Sequence, residues 1–256
     1  MKPTPKEVAE RLLILKYQVV HALASPPTDL LNQAFSRWPK EDQQSFLHMV
    51  KERSEQLVTF MKAYDLWDRM TKEEREFIKS TPMTMKPQQH LNAMWRMESA
   101  IVLIWALGRL TEFPVFDAQT NTDLLKDIPY ENINEFLDSA VLIPEGEIEK
   151  RRSLAELWHW RSRTRELIEK GQQLPSGTPY ASFNEIVSIA ANEAYKRGDL
   201  SQVLDDDFPV RGKPYRILTE EEWSEIRSIT IERHHALNWL CGHADGNKWN
   251  RTPTDT

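Results

Sequence analysis

The sequence predicts an all-α fold: a multi-helix bundle around a central apolar helix, with an irregular C-terminal tail and at most one small β-hairpin. Three observations lead there. Apolar residues recur at helical spacing through most of the 256-residue chain, and proline or glycine punctuates the periodic segments. Ser/Thr-x-x-Glu capping signatures stand at Thr71/Glu74, Ser182/Glu185 and Thr219/Glu222. The run AIVLIWALG at 100–108 is apolar on every side, as only a helix at the centre of a bundle tolerates.

Taken in order, 8–23 is an amphipathic helix stopped by Ser25-Pro26-Pro27. A polar-faced helix follows over about 41–70, then a short one from Thr71 to near Lys79. Pro87 suits the first turn of the central helix, which is expected to reach Leu110. Residues 111–144 are broken by Pro114, Pro129 and Pro144. A long helix spans 145–170 before Gly171, and another runs from Ser182 to Gly198. The stretch 199–218 is a loop with room for one hairpin, and Thr219 opens the last helix, which ends at Cys241 before Gly242. The tail HADGNKWNRTPTDT has no helical pattern. One domain over 1–256 is the simplest division; the alternative is two subdomains, 1–110 and 122–256, parted by the loop at 111–121.

Composition narrows the function classes. With 40% hydrophobic residues and nine tryptophans, the chain can bury a substantial core. A net charge of −6 argues against a dedicated nucleic-acid binder or a polybasic membrane surface. One cysteine excludes an internal disulfide and a multi-cysteine zinc cluster. The N-terminal MKPTPKEVAERLL has charges where a secretory signal needs an apolar core. The longest apolar run, 100–107, is far short of the roughly 20 residues that cross a bilayer. A soluble cytoplasmic protein without nucleic-acid or membrane partners is expected.

Three helices carry an ionisable residue inside their apolar stripe. Leu154, Leu157, Arg161, Thr164 and Ile168 share a face, as do Leu91, Met94, Glu98, Ile101 and Trp105, and as do Trp223, Ile226, Thr230, Arg233, Leu237 and Leu240. A buried charge must be paired and hydrogen-bonded. The economical expectation is that Glu98, Arg161 and Arg233 meet inside the bundle, with the excess positive charge balanced by Glu193, by Asp255 or by a bound anion. This cluster is either a polar network fixing helix register or an internal anion site for a carboxylate or phosphate.

Two Glu-x-x-His pairs, Glu156–His159 and Glu232–His235, together with Glu98 and Glu193 follow the ligand order of di-iron carboxylate bundles. Helical angles turn both pairs away from the apolar stripes, so no metal and no cofactor is expected. Trp158, His159, Trp160, Arg161, Arg163 and Arg165 alternate aromatic and basic residues, but six glutamates on the same helix oppose a nucleic-acid stripe. Cys241 reads as a packed thiol, and His234-His235 lack a nucleophile motif. Asp205-Asp206-Asp207 reads as a solvated loop. In the closing Thr254-Asp255-Thr256 segment, Trp249 is expected to pack down and Asp255 to reach Arg233 or Arg161.

The ordered motifs WRMESAIVLIWALGRLTEFP, RSLAELWHWRSRTREL, DDFPVRGKPYRILTEEE and ERHHALNWLCG…KWN…TDT resemble the bacterial family catalogued as domain of unknown function 4272. The resemblance covers about 85–256 well and the N-terminal third loosely; this chain has Asn250 where the family pattern has an aspartate after the tail tryptophan. It implies a soluble bacterial protein and brings no activity, cofactor or catalytic residue. It sets Glu98, His159, Arg161, Arg163, Arg233, Asn238, Trp239 and Asp255 within the family's motifs. Two functions stay open. One is a binding protein for a protein partner or small anionic ligand. The other is an enzyme in which Arg161 and Arg233 hold an anionic substrate while Glu98 or His159 acts as acid or base.

Overall fold

The computed structural model describes residues 1–26 and 28–255; Pro27 of the anticipated helix stop and Thr256 of the tail lie outside them. The fold is all-α with one small hairpin. Helix α1 (Pro5–Ala24) opens on Thr4, whose hydroxyl accepts from the Glu7 amide while the Glu7 carboxylate accepts from the Thr4 amide. Buried residues occur all around this helix, including Lys16 and His21. Then come α2 (Thr28–Phe35), α3 (Lys40–Ala63), α4 (Lys72–Lys79) and α5 (Pro87–Ala106). The second half follows with α6 (Ile133–Asp138), α7 (Glu145–Glu169), α8 (Phe183–Lys196) and α9 (Glu220–Leu240).

The capping boxes anticipated at Thr71/Glu74 and Thr219/Glu222 form in both directions, and the Ser182 hydroxyl accepts from the Glu185 amide. Such caps satisfy amides that a helix start otherwise leaves orphaned, each contributing about 1 kcal/mol. As its all-round apolar sequence predicts, the second half of α5 is buried from Met97 to its end at Ala106. Helix α5 packs on α1 at one side and on α9 at the other, and α9 packs in turn on α7. Four of the long helices thus stand in the order α1, α5, α9, α7, joining the N-terminal and C-terminal halves of the chain across the α5–α9 seam.

Four local expectations are corrected. The short helix α2 was not foreseen; Phe35, Trp38 and Phe46 at the α2–α3 corner pack edge-on or tilted with ring centres 5.7–6.0 Å apart. The helix expected over 41–70 stops at Ala63, because Asp65 takes a left-handed φ of 57° and the chain turns before a 3-10 turn at Trp67–Arg69. Helix α5 ends at Ala106, four residues before Leu110, because Gly108 at φ 68° reverses the chain. The tail, read as patternless, makes short 3-10 turns at Asp245–Asn247 and Trp249–Arg251. Apolar positions near helix ends also escape burial: Leu91 is 48% exposed and Ile168 38%.

The hairpin pairs β1 (Pro209–Val210) antiparallel with β2 (Lys213–Pro214) around Arg211 and Gly212, both at positive φ. That is the two-residue turn whose twist matches paired strands. Arginine is unusual there. It is held by its amide donating to Asp117 Oδ2 at 3.2 Å, its Nε donating to the Asp117 carbonyl at 2.7 Å, and a forked pair to Glu225. Among the described residues, no helix is long and apolar enough to cross a membrane.

Candidate functional site

Glu98, Arg161 and Arg233 are buried, as the stripes predict, but they do not meet. Arg233 donates from Nε and Nη2 to Glu98 Oε2 at 2.9 and 2.7 Å. Its remaining donors reach the carbonyls of Pro114, Val115 and Ala118. Glu98 also accepts from the Thr120 amide at 2.7 Å and the Thr120 hydroxyl at 3.0 Å. Burial lowers the Arg233 pKa and Glu98 pulls it back up. The pair therefore ties the loop after α5 to the α5–α9 seam.

Arg161 solves the same problem elsewhere. Its Nε and Nη2 donate to Asp207 Oδ1 and Oδ2, both at 2.7 Å, and its guanidinium lies 4.4 Å from the Tyr215 ring centre. Asp207 also accepts from the amides of Phe208 and Arg216 at 2.8 Å. So Asp207, 1% exposed, is not part of a solvated acidic run, although Asp205 and Asp206 are exposed. The balancing carboxylate is neither Glu193, which is exposed and pairs with Lys196, nor Asp255. With Arg161 2% and Arg233 0% exposed, neither guanidinium is open to a ligand. Each is a fastening between a helix and a loop.

The remaining sequence candidates gather at one cleft. His159, Ser162, Arg163 and Glu166 of α7, Arg227 and Ile231 of α9, and Thr254 and Asp255 of the tail enclose about 300 Å³. Glu166 accepts from Lys170 at 2.5 Å and from Arg163 at 2.6 Å, with Arg227 3.8 Å away. The hydrogen bonds from Lys170 and Arg163 hold its carboxyl down to about 2. The cleft is thus charge-balanced: two guanidiniums face the carboxylates of Glu166 and Asp255.

Behind it runs a chain of polar contacts that fixes the tautomer of His159. Asn238 Nδ2 donates to the Pro253 carbonyl at 2.9 Å, and Arg152 Nη1 donates to Asn238 Oδ1 at 3.5 Å. A carbonyl only accepts and a guanidinium only donates, so the amide orientation is set. Asn238 Nδ2 then donates its second proton to His234 Nε2 at 2.9 Å. His234 accordingly keeps its proton on Nδ1 and donates it to His159 Nδ1 at 3.0 Å. The proton of neutral His159 then sits on Nε2, and His159 lines the cleft. Burial lowers the pKa to about 4 for His159 and to about 3 for His234, so both rings are neutral near pH 7.

The Glu-x-x-His residues do not converge. Glu156 pairs with Arg152, Glu232 receives Arg96 and the Ser99 hydroxyl, and His235 packs edge-on to Trp249. Among the described residues, no three His, Cys, Asp or Glu side chains are grouped to hold a metal ion. The angular argument misplaced His159, which is 8% exposed against α9 rather than turned outward. Cys241 is buried, and burial pushes its thiol up to about 12. Trp249 packs down as expected, 5% exposed between His235, Trp239 and Arg11. Asp255 lies at the His159 cleft, not at Arg233 or Arg161.

Sequence reasoning missed Asp207, Glu166, Arg227 and the His234 contact. The available signal for Glu166 was its spacing of three and four residues from Arg163 and Lys170. A model of the family described as Domain of unknown function (DUF4272) matches residues 2–183. The match takes in the N-terminal third, which the sequence resemblance covered loosely, and stops before the hairpin and α9 motifs on which that resemblance partly rested. No curated protein and no solved structure matches the chain.

Proposed function

The chain belongs to the domain of unknown function 4272 family, and from that premise, which assigns no activity, we propose that it is a binding protein whose α7–α9–tail cleft takes a small anionic group, a carboxylate or phosphate. The observation that carries this reading is the fixed tautomer of His159. Asn238 and His234 direct its Nε2 proton to a cleft that also holds the guanidiniums of Arg163 and Arg227. A neutral imidazole donor beside two guanidiniums suits an oxyanion, since charge-assisted hydrogen bonds are the strong ones. Glu166 draws on the same arginines, so the site is a modest one, in which an incoming anion competes for partly neutralised cations. The whole chain acts as one domain in this reading, because α5 packs on helices from both halves. A single, buried free cysteine suits a reducing cytoplasmic compartment.

Inorganic phosphate and succinate, titrated separately while amide shifts are followed by NMR, test the proposal. Saturable shifts should centre on His159, Arg163, Arg227 and Thr254. Arg163→Met combined with Arg227→Met should weaken binding by about tenfold or more, the loss expected on removing hydrogen bonds to a charged group. Shifts that stay linear to the highest concentration, or affinity unchanged in the double variant, would overturn it.

A further inference from the structure

The two loops fastened by the buried arginines face each other across a second cleft, of about 370 Å³, distinct from the one at His159. One wall is the 113–117 segment, whose carbonyls Arg233 grips; the opposite wall includes Pro209, Arg211 and Gly212 of the hairpin, next to Asp207, which Arg161 grips. Helix α7 supplies Arg151, Leu154 and Trp158 between them. Arg211 and Asp117 join the two walls directly. The cleft is therefore built of loops, yet its shape is fixed from beneath by two buried ion pairs and across its mouth by a third contact.

Its lining includes the half-buried Phe113, backed by the buried rings of Phe116 and Trp158, and one cation without a carboxylate partner. Phe116 stacks on Trp158 with planes 12° apart and centres 5.7 Å apart, and Phe113 lies 5.6 Å from Phe116. Val115 at the rim is 63% exposed. Arg151 lies over Phe113, 5.4 Å from the ring centre. Among the described residues no carboxylate forms an ion pair with Arg151, and its Nε is buried without a hydrogen-bond partner. Of the other charged side chains of the lining, Arg211 pairs with Glu225 and Asp199 with Arg197, while the Asp117 carboxylate accepts from the Arg211 backbone amide. A half-buried guanidinium held by an aromatic ring but by no carboxylate forgoes a charge-assisted bond that an anion would restore.

We infer that this second cleft binds a flat, singly charged aromatic acid, its ring against Phe113 and the Val115 rim and its carboxylate on Arg151. One charge is all the site can match, because Arg151 is the one cation of the lining without a carboxylate partner and the Asp117 carboxylate, held by a backbone amide alone, repels a second negative group. A ring fits the half-buried Phe113 face, where aromatic pairs gain from offset or edge contact.

The probe is 2-naphthoate, with 2-naphthylmethylamine as the oppositely charged control, followed by calorimetry and amide shifts. Naphthoate should bind at one saturable site that shifts the amides of 113–117 and 198–202, while the amine should not. Arg151→Met should weaken naphthoate by about tenfold or more. Val115→Asp, a change at an exposed position that leaves the core alone, should weaken it in the same direction by adding a repelling charge. Inorganic phosphate should not compete, which separates this cleft from the one at His159. Equal binding of the amine, indifference to both substitutions, competition by phosphate, or no saturation would each overturn the inference.

Discussion

Glu98→Gln and Arg161→Met, each alone, are expected to lower folding stability by about 3–5 kcal/mol, the usual cost of leaving one member of a buried pair without its partner. Glutamine is nearly isosteric with glutamate, so the loss at position 98 isolates charge and hydrogen-bond direction. One oxygen of Glu98 accepts from the Thr120 amide; the other accepts from Arg233 and the Thr120 hydroxyl. Whichever way a side-chain amide is turned at this position, its NH2 meets a donor. Arg161→Met fills similar space but strands the Asp207 carboxylate at 1% exposure with two backbone amides as its remaining partners. Arg161→Met with Asp207→Leu should cost less than the sum of the single changes, because no uncompensated charge remains. Equilibrium urea unfolding measures all of these. A loss below about 1 kcal/mol for both single changes would mean that the pairs are solvated and the fastening role fails.

The second large effect is acid sensitivity. Burial holds His21, His159 and His235 down to about 4 and His234 to about 3, against 6.5 for an unperturbed imidazole. As pH falls below 6.5, the unfolded chain takes up protons that the folded chain refuses. The unfolded state then binds more protons, so stability rises with pH in this window and falls on acidification. Each imidazole kept neutral contributes a slope of up to about 1.4 kcal/mol per pH unit. Stability is thus expected to drop by about 2 kcal/mol between pH 6.5 and 4.5 if one histidine alone is effective, and by more if several are. Glu10, whose pKa burial raises, opposes this trend, and the depressed carboxyl of Glu74 adds to it at lower pH. Urea midpoints measured across this range should fall steadily; a flat profile from pH 7 to 5 would contradict the burial of these rings.

The helices were legible in the sequence because their signals are local. Thr71, Ser182 and Thr219 cap within three residues of themselves, and Gly108, Gly171 and Gly198 take the left-handed conformation that ends a helix. Burial of Arg161 and Arg233 was legible for the same reason, since helical spacing fixes which face a residue shares. Their partners were not. Asp207 lies 46 residues from Arg161, in a loop where three consecutive aspartates look alike on paper. Only the turn after Leu204, with Asp205 and Asp206 both at positive φ, points the third inward. The His159 cleft was half legible. His159, Arg163, Asn238 and Asp255 were singled out one by one, but Arg227 lies on the exposed side of α9, where an arginine is unremarkable. Helix α2 spans eight residues, too few for a periodic pattern to declare itself.

Surface connections usually drift in length between related chains, because nothing beneath them counts their residues. The segments at 114–120 and 204–217 are different: Arg233 grips three carbonyls in the first, and Asp207 in the second is gripped by Arg161 while it caps two amides of its own loop. A single inserted residue in either would put a wrong group opposite a buried charge. Insertions and deletions should therefore be excluded from both segments, and be accommodated instead between α7 and α8, where nearly every residue from 171 to 180 lies at the surface.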